Sequence, residues 1–313
     1  MTMIENRLIK WTGRGIGAVG AAVAIGLAPA GCGSGAKAPG GTIQAFVTVA
    51  PQAYFVERVG GDCVAVDVLV PPGQSPHTYE PTPRQMARLE AADVYFRAGM
   101  PIENRWIGRL AEIVGADRII DTRAGVALRS IEGHSHEEGD EEEAAHGKTP
   151  DPHIWLDPVA AKTQARTIAE ALGRLDPGRR EDYGARLAAF EHDLDSVHAL
   201  IGEILAPCAG RAVYVFHPSY GYFLDRYGLR QTAIEREGKE PAARDLADLI
   251  DAARADSVRA LFVQPQFARK TAAAVAHAVG AELVTIDPLA RDYLPNLVDM
   301  ARRIAAGTAP EVK

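Results

Sequence analysis

Cysteine is scarce in this chain: three residues in 313, at positions 32, 63 and 208. Exported proteins can keep disulfides. Cys63 and Cys208, however, fall in separate halves, so they are read as free, buried thiols behaving as small apolar residues. Positive charge is also short. Lys and Arg number 34 against 41 Asp and Glu, a net charge of −7, which argues against a nucleic-acid partner. Apolar runs long enough to cross a bilayer are missing, because the candidate at residues 16–27 is too short. No His-Glu-x-x-His motif joins any two of the nine histidines. What is present is length and apolar content. Hydrophobic residues make up 47%, and 313 residues suggest two domains rather than one.

The first residues read as a targeting segment. Arg7, Lys10 and Arg14 precede the apolar run, and Ala28-Pro-Ala-Gly-Cys32 follows it. A cysteine after two small residues resembles a bacterial lipoprotein cleavage site, so Cys32 is the expected point of lipidation. Pro29 stands where that pattern carries an aliphatic residue, and ordinary signal-peptidase cleavage is the alternative. The expected organisation is a signal peptide over 1–31 and a tether over 32–41. A first lobe over 42–157, a linker with a long helix over 158–208 and a second lobe over 209–313 follow.

Strand and helix signals alternate through both halves. Strands are expected near 42–50, 64–70 (by β-branched content), 94–97 and 118–121, then near 211–217, 231–235, 260–263 and 283–286. Helices are expected between them, near 103–114 for one, and from 218 after the fifth strand. Thr82-Pro83-Arg84-Gln85 has the residues of a capping box with proline at the first helical position. The fold class is therefore α/β, two lobes of parallel or mixed sheet flanked by helices. From about 179 to 205, Leu187, Phe190, Leu194, Val197, Ile201 and Ile204 form one apolar stripe. That helix is roughly 40 Å long, enough to span two lobes.

Ligand sites in such folds lie at the carboxyl ends of strands. His77 and His217 fall there, as does Asp287, and His153 sits between the two Asp-Pro pairs of Asp151-Pro-His-Ile-Trp-Leu-Asp-Pro158. Two candidates fall in each half, around the spanning helix. Spacing alone leaves each open to a structural role. His192, His198 and His277 are read as solvated or structural. Between the halves, seven acids and His134, His136 and His146 crowd one low-complexity loop. It is either a solvated charge run or a weak, exchangeable metal-collecting loop.

Five motifs in order carry a resemblance: Pro71-Pro-Gly-Gln-Ser-Pro-His77 with Glu80-Pro81, Asp151 to Pro158, Phe216-His217-Pro-Ser-Tyr-Gly-Tyr-Phe223, Gly238-Lys-Glu-Pro241, and Ile286-Asp287-Pro-Leu289. Over about residues 42–306 the chain resembles the zinc-binding solute receptors of bacterial ABC importers, a cluster that also holds manganese receptors. The resemblance implies two lobes on one rigid helix, with metal ligands at His77, His153, His217 and Asp287. It implies zinc as transported ligand, with Mn2+ possible in principle. Manganese receptors carry a glutamate where His217 stands, and three imidazoles with one carboxylate suit zinc. A partner permease with its ATPase, a monomeric receptor, and a place outside the cytoplasmic membrane, lipid-anchored or periplasmic, are implied as well. No enzymatic role is expected, since catalytic zinc keeps an open position. Affinity is expected to fall as pH drops through the histidine range. The alternatives are a manganese or iron receptor, a zinc hydrolase with Glu80 as base, and a surface adhesin.

Overall fold

A computed structural model describes residues 41–131, 150–235, 243–267 and 269–308. Cys32, the Gly238-Lys-Glu-Pro241 motif and the loop histidines 134, 136 and 146 lie outside the described residues. The first sheet is built from β1 (Ile43–Val47), β2 (Val64–Val68), β3 (Val94–Arg97) and β4 (Ile119–Asp121). Its order is β2-β1-β3-β4, and every pair is parallel. The second sheet repeats the plan with β5 (Ala212–Val215), β6 (Arg230–Ala233), β7 (Ala260–Val263) and β8 (Glu282–Thr285). Its order is β6-β5-β7-β8, again parallel throughout. Parallel pairing requires crossovers. Here they are α1 (Ala50–Gly60), α2 (Pro83–Ala91) and α3 (Ile107–Val114) in the first half. In the second they are α6 (Gly221–Arg226), α7 (Ala243–Ala255) and α8 (Arg269–Val279).

Between the sheets run α4 (Pro158–Leu175) and the 26-residue α5 (Arg180–Leu205), and α9 (Tyr293–Thr308) closes the chain. The stripe on α5 joins the two halves into one core. Phe190, Leu194 and Ile201 are fully buried in the cluster that holds Val47 and Phe96 of one sheet and Val215 and Phe262 of the other. Helix α5 packs on α1, α4 and α9. Among the described residues no helix is long and apolar enough to cross a membrane. Cys63 and Cys208 are free thiols, the second fully buried.

Two helices differ from expectation, each because a side chain captures backbone groups. The segment expected to be helical from 103 begins as a 3-10 turn over Pro101–Arg105, and α3 starts only at Ile107. Glu103 turns inward instead. Its carboxylate accepts from the backbone amides of Ala98 (2.8 Å) and Gly99 (2.9 Å). After β5 the helix starts at Gly221, not Pro218. The Gln264 amide spans that loop, donating to the His217 carbonyl (2.8 Å) and the Ser219 hydroxyl (3.0 Å). His198 is half-buried rather than solvated, with Nδ1 3.0 Å from the Tyr227 hydroxyl. His192 and His277 are exposed.

Candidate metal centre

Each candidate histidine is placed by a short proline-containing segment, after β2 for His77, before α4 for His153 and after β5 for His217. The loop after β2 is held by α2's N-terminus. Thr82 caps that helix by accepting from the Gln85 amide (3.3 Å). Gln85 also reaches back, donating to the Leu69 carbonyl (2.8 Å) and accepting from the Tyr79 hydroxyl (2.7 Å). His77 is carried on the loop so fixed, its amide donating to Ser75 Oγ (3.3 Å).

The 151–158 stretch fixes His153 from both ends. Asp157 caps α4 by accepting from the Val159 amide, and takes both Nε and Nη2 of Arg226, at 3.0 and 2.6 Å. Between them, the Trp155 indole donates to the Pro288 carbonyl (2.8 Å), tying the stretch to the second half. Asp151 receives the His153 amide at 3.0 Å on Oδ1. Arg129 faces the other Asp151 oxygen, Oδ2, at 3.9 Å. Gly221 makes room for that guanidinium, since a Cβ there would lie 1.4 Å from Nη1. His217 follows β5, its amide donating to Gln264 Oε1 (3.3 Å), its ring stacked on Phe267 with centroids 4.9 Å apart.

The three imidazoles converge. His77 Nε2 stands 3.2 Å from His153 Nε2 and 3.0 Å from His217 Nε2. Among the described residues, these three are the His, Cys, Asp or Glu side chains whose ligand atoms gather within 4.8 Å. Behind them, His153 Nδ1 lies 2.7 Å from Asp151 Oδ1, and His217 Nδ1 lies 3.2 Å from Glu235 Oε2. A ring whose Nδ1 carries the proton toward a carboxylate has a bare lone pair on Nε2. One His77 N–H can serve at most one of its two nitrogen neighbours, so the three converging nitrogens suit a shared cation. Three nitrogens bound tetrahedrally at about 2.0–2.1 Å from zinc stand about 3.3 Å apart, close to the spacing found. The cavity at these rings, about 10 Å³, holds one ion or water rather than an organic ligand. A larger cavity, about 350 Å³, opens at the opposite end of the second sheet. Arg211, Arg230 and Arg259 line it against the single acid Asp256, a balance that disfavours a cation.

Asp287 follows β8 as expected, but its carboxylate is outside the converging group. Its Oδ1 accepts from Gln266 Nε2 (2.8 Å) and the Leu289 amide (2.9 Å). Glu80 is exposed and paired with Arg105 at 3.3 Å. Asp151 and Glu235 carry no role in the sequence reading, yet they are the acids that touch the ligand rings. Asp151, two residues before His153, was the more legible. Glu235 meets His217 only through strand register, which sets Val215 opposite Ala233 and so places both residues just beyond neighbouring strand ends.

Burial governs the electrostatics. His77 is pushed down to about 2, first by desolvation and then by the two neighbouring imidazoles. His217 is lowered chiefly by burial, with Glu235 pulling the other way. The folded chain therefore keeps these rings neutral in a range where the unfolded chain, with histidines near 6.5, binds protons. Their contribution to stability is fully present above about pH 6.5 and is lost as pH drops below it toward the depressed folded values. Chelator-treated protein should show a steady fall in urea midpoint from pH 7 to pH 5. A midpoint unchanged over that range would contradict the assignment of these rings as buried and neutral.

The model of the family described as "Zinc-uptake complex component A periplasmic" (ZnuA) matches residues 46–307. The zinc-binding lipoprotein AdcA of Streptococcus pneumoniae is 26% identical over 260 residues, covering 82% of this chain and 52% of AdcA. The chain thus spans about half the length of that relative. The high-affinity zinc uptake system protein ZnuA of Bacillus subtilis is 27% identical over 258 residues, 81% of each chain. A crystal structure of a ZnuA deletion mutant with zinc bound superposes with a TM-score of 0.78 at 39% identity, covering 86% of this chain and 99% of that one.

Proposed function

The chain belongs to the periplasmic zinc-uptake component A family, and on that premise we propose that it is an extracytoplasmic receptor that captures Zn2+ and hands it to an ABC importer permease. The observation that carries this reading is the convergence of three Nε2 atoms, two from the first half and one from the second, at 3.0 and 3.2 Å. His77, His153 and His217 are the proposed ligands. Asp287 is the proposed fourth donor, reached by turning from Gln266 or through a bridging water. Three imidazoles favour a borderline-soft ion over manganese, which prefers carboxylate and water oxygens.

The proposed work is capture and release rather than chemistry. The cavity leaves no room beside the ion for a substrate. Ligands from both halves let bound zinc tie the two sheets' loops together. Helix α5, buried along one face in a core common to both halves, opposes a wide hinge. Release then calls for local opening of the ligand loops when the receptor docks on the permease. Cys32 is proposed as a lipid anchor holding a monomeric receptor at the outer face of the membrane. The loop with His134, His136 and His146 is proposed as a weak collecting site that feeds the main one.

Metal analysis with competitive titration tests the reading. One tight zinc per chain is expected, retained against a large excess of manganese. Manganese binding as tightly as zinc would overturn the cargo assignment.

A further inference from the structure

We propose that Asp151 and Glu235 are positioning residues that fix the tautomers of His153 and His217 and supply the negative charge that balances a bound dication. The tautomer half stands on geometry alone, whereas the charge half rests on the zinc reading above.

The two carboxylates are equivalent in place and opposite in origin. Asp151 comes from the first half, two residues before its histidine, and receives both the backbone amide and Nδ1 of His153 on one oxygen, at 3.0 and 2.7 Å. Glu235 comes from the second half, just past β6, and faces His217 Nδ1 at 3.2 Å. Both acids are nearly inaccessible, at 1% and 3% exposure. Burying a carboxylate costs several kcal/mol unless it is paired and hydrogen-bonded. Asp151 has Arg129 within 3.9 Å. Glu235 has less: its Oε1 is buried with no hydrogen-bond partner among the described residues. A buried acid with one oxygen on a ligand imidazole and the other unsatisfied makes sense beside a cation on the far side of that ring.

The charge count agrees. Three neutral imidazoles bring no charge to a dication. Asp151, Glu235 and the proposed donor Asp287 bring three negatives, and Arg129 beside Asp151 brings one positive, which leaves two negatives for the ion. Asp151 and Glu235 act without contact, while both rings keep their Nε2 lone pairs aimed at one point. A metal-ligating histidine that donates its other N–H to a carboxylate is held in tautomer and orientation, and its basicity is raised. His77 has no such partner on Nδ1 among the described residues. It is thus the one ligand of the three left free to change tautomer when metal arrives.

Imidazole 15N–1H long-range correlation spectra of the chelator-treated full chain at neutral pH test the tautomers directly. His153 and His217 should each show a single Nδ1–H form. An Nε2–H form or an averaged mixture at either residue would overturn the proposal. Glu235→Gln keeps an acceptor for Nδ1–H and removes the charge. Its zinc affinity should fall by about 10–100-fold with the His217 tautomer retained, and an affinity within twofold of wild type would overturn the charge half. Fixed tautomers in a wild-type chain that binds no zinc would uphold the bracing and sink the zinc reading instead.

Discussion

On the proposed ligand set, His217→Ala should release tightly bound zinc. The expected loss is more than the roughly 100-fold that changes behind a ligand produce, because one of three converging nitrogens is removed and the second half loses its closest contact with the ion. Two effects act together. The metal loses a bond, and Glu235 loses the Nδ1–H that its buried carboxylate meets at 3.2 Å. The second effect lowers stability as well, since an acid left buried without a partner carries a desolvation cost. Circular dichroism and urea unfolding of the chelated variant separate the two. A folded variant with weakened zinc is the expected result. Asp287→Ala should cost less, because Asp287 Oδ1 is already engaged by Gln266 and the Leu289 amide. A folded His217→Ala protein that holds zinc as well as the wild type would remove the second half from the site.

Glu103→Ala should be the most destabilising single change in the first half. Glu103 is fully buried. Its carboxylate gathers the hydroxyls of Thr48 and Tyr95, Arg97 Nε at 3.1 Å and the amides of Ala98 and Gly99. Removing it leaves Arg97 Nε and the Gly99 amide without this acceptor, and only the Thr48–Tyr95 hydroxyl pair at 2.7 Å and a long Ala98 amide contact to Thr48 Oγ1 at 3.4 Å remain. Breaking such a buried, charge-assisted network costs about 3–5 kcal/mol, which lowers the thermal midpoint by roughly 10 °C in a protein of this size. The same network holds the turn after β3, so the loss should appear without a matching change in intrinsic zinc affinity. A midpoint within 2 °C of wild type, by calorimetry on chelated protein, would show that the network contributes little.

Much of the frame was legible because it is written in local patterns. The β-branched run at 64–68, the short apolar run at 260–263 and the stripe on α5 state their structure through composition and period. The capping box at Thr82 and Gln85 states where α2 begins. The three histidines were legible because each stands on a proline-bound segment, His77 and His217 after strands and His153 between two Asp-Pro pairs. What could not be read depends on contacts far apart in sequence. Glu103 looks like an ordinary residue early in a helix, and only the fold shows that two backbone amides from the strand end pull it inward. Glu235 becomes a partner of His217 through the β5–β6 register, which no local pattern encodes. Asp287 shows the converse: its position at a strand end was right, yet Gln266 and a backbone amide claim the oxygen that the sequence alone would give to metal.

X-ray absorption at the zinc edge of the loaded protein tests the central claim most directly. The predicted signal is three imidazole nitrogens at about 2.0–2.1 Å with a light oxygen donor completing four-coordination. Fewer than three imidazoles, or a sulfur shell at about 2.3 Å, would contradict the assignment of His77, His153 and His217 as the ligands that hold the ion.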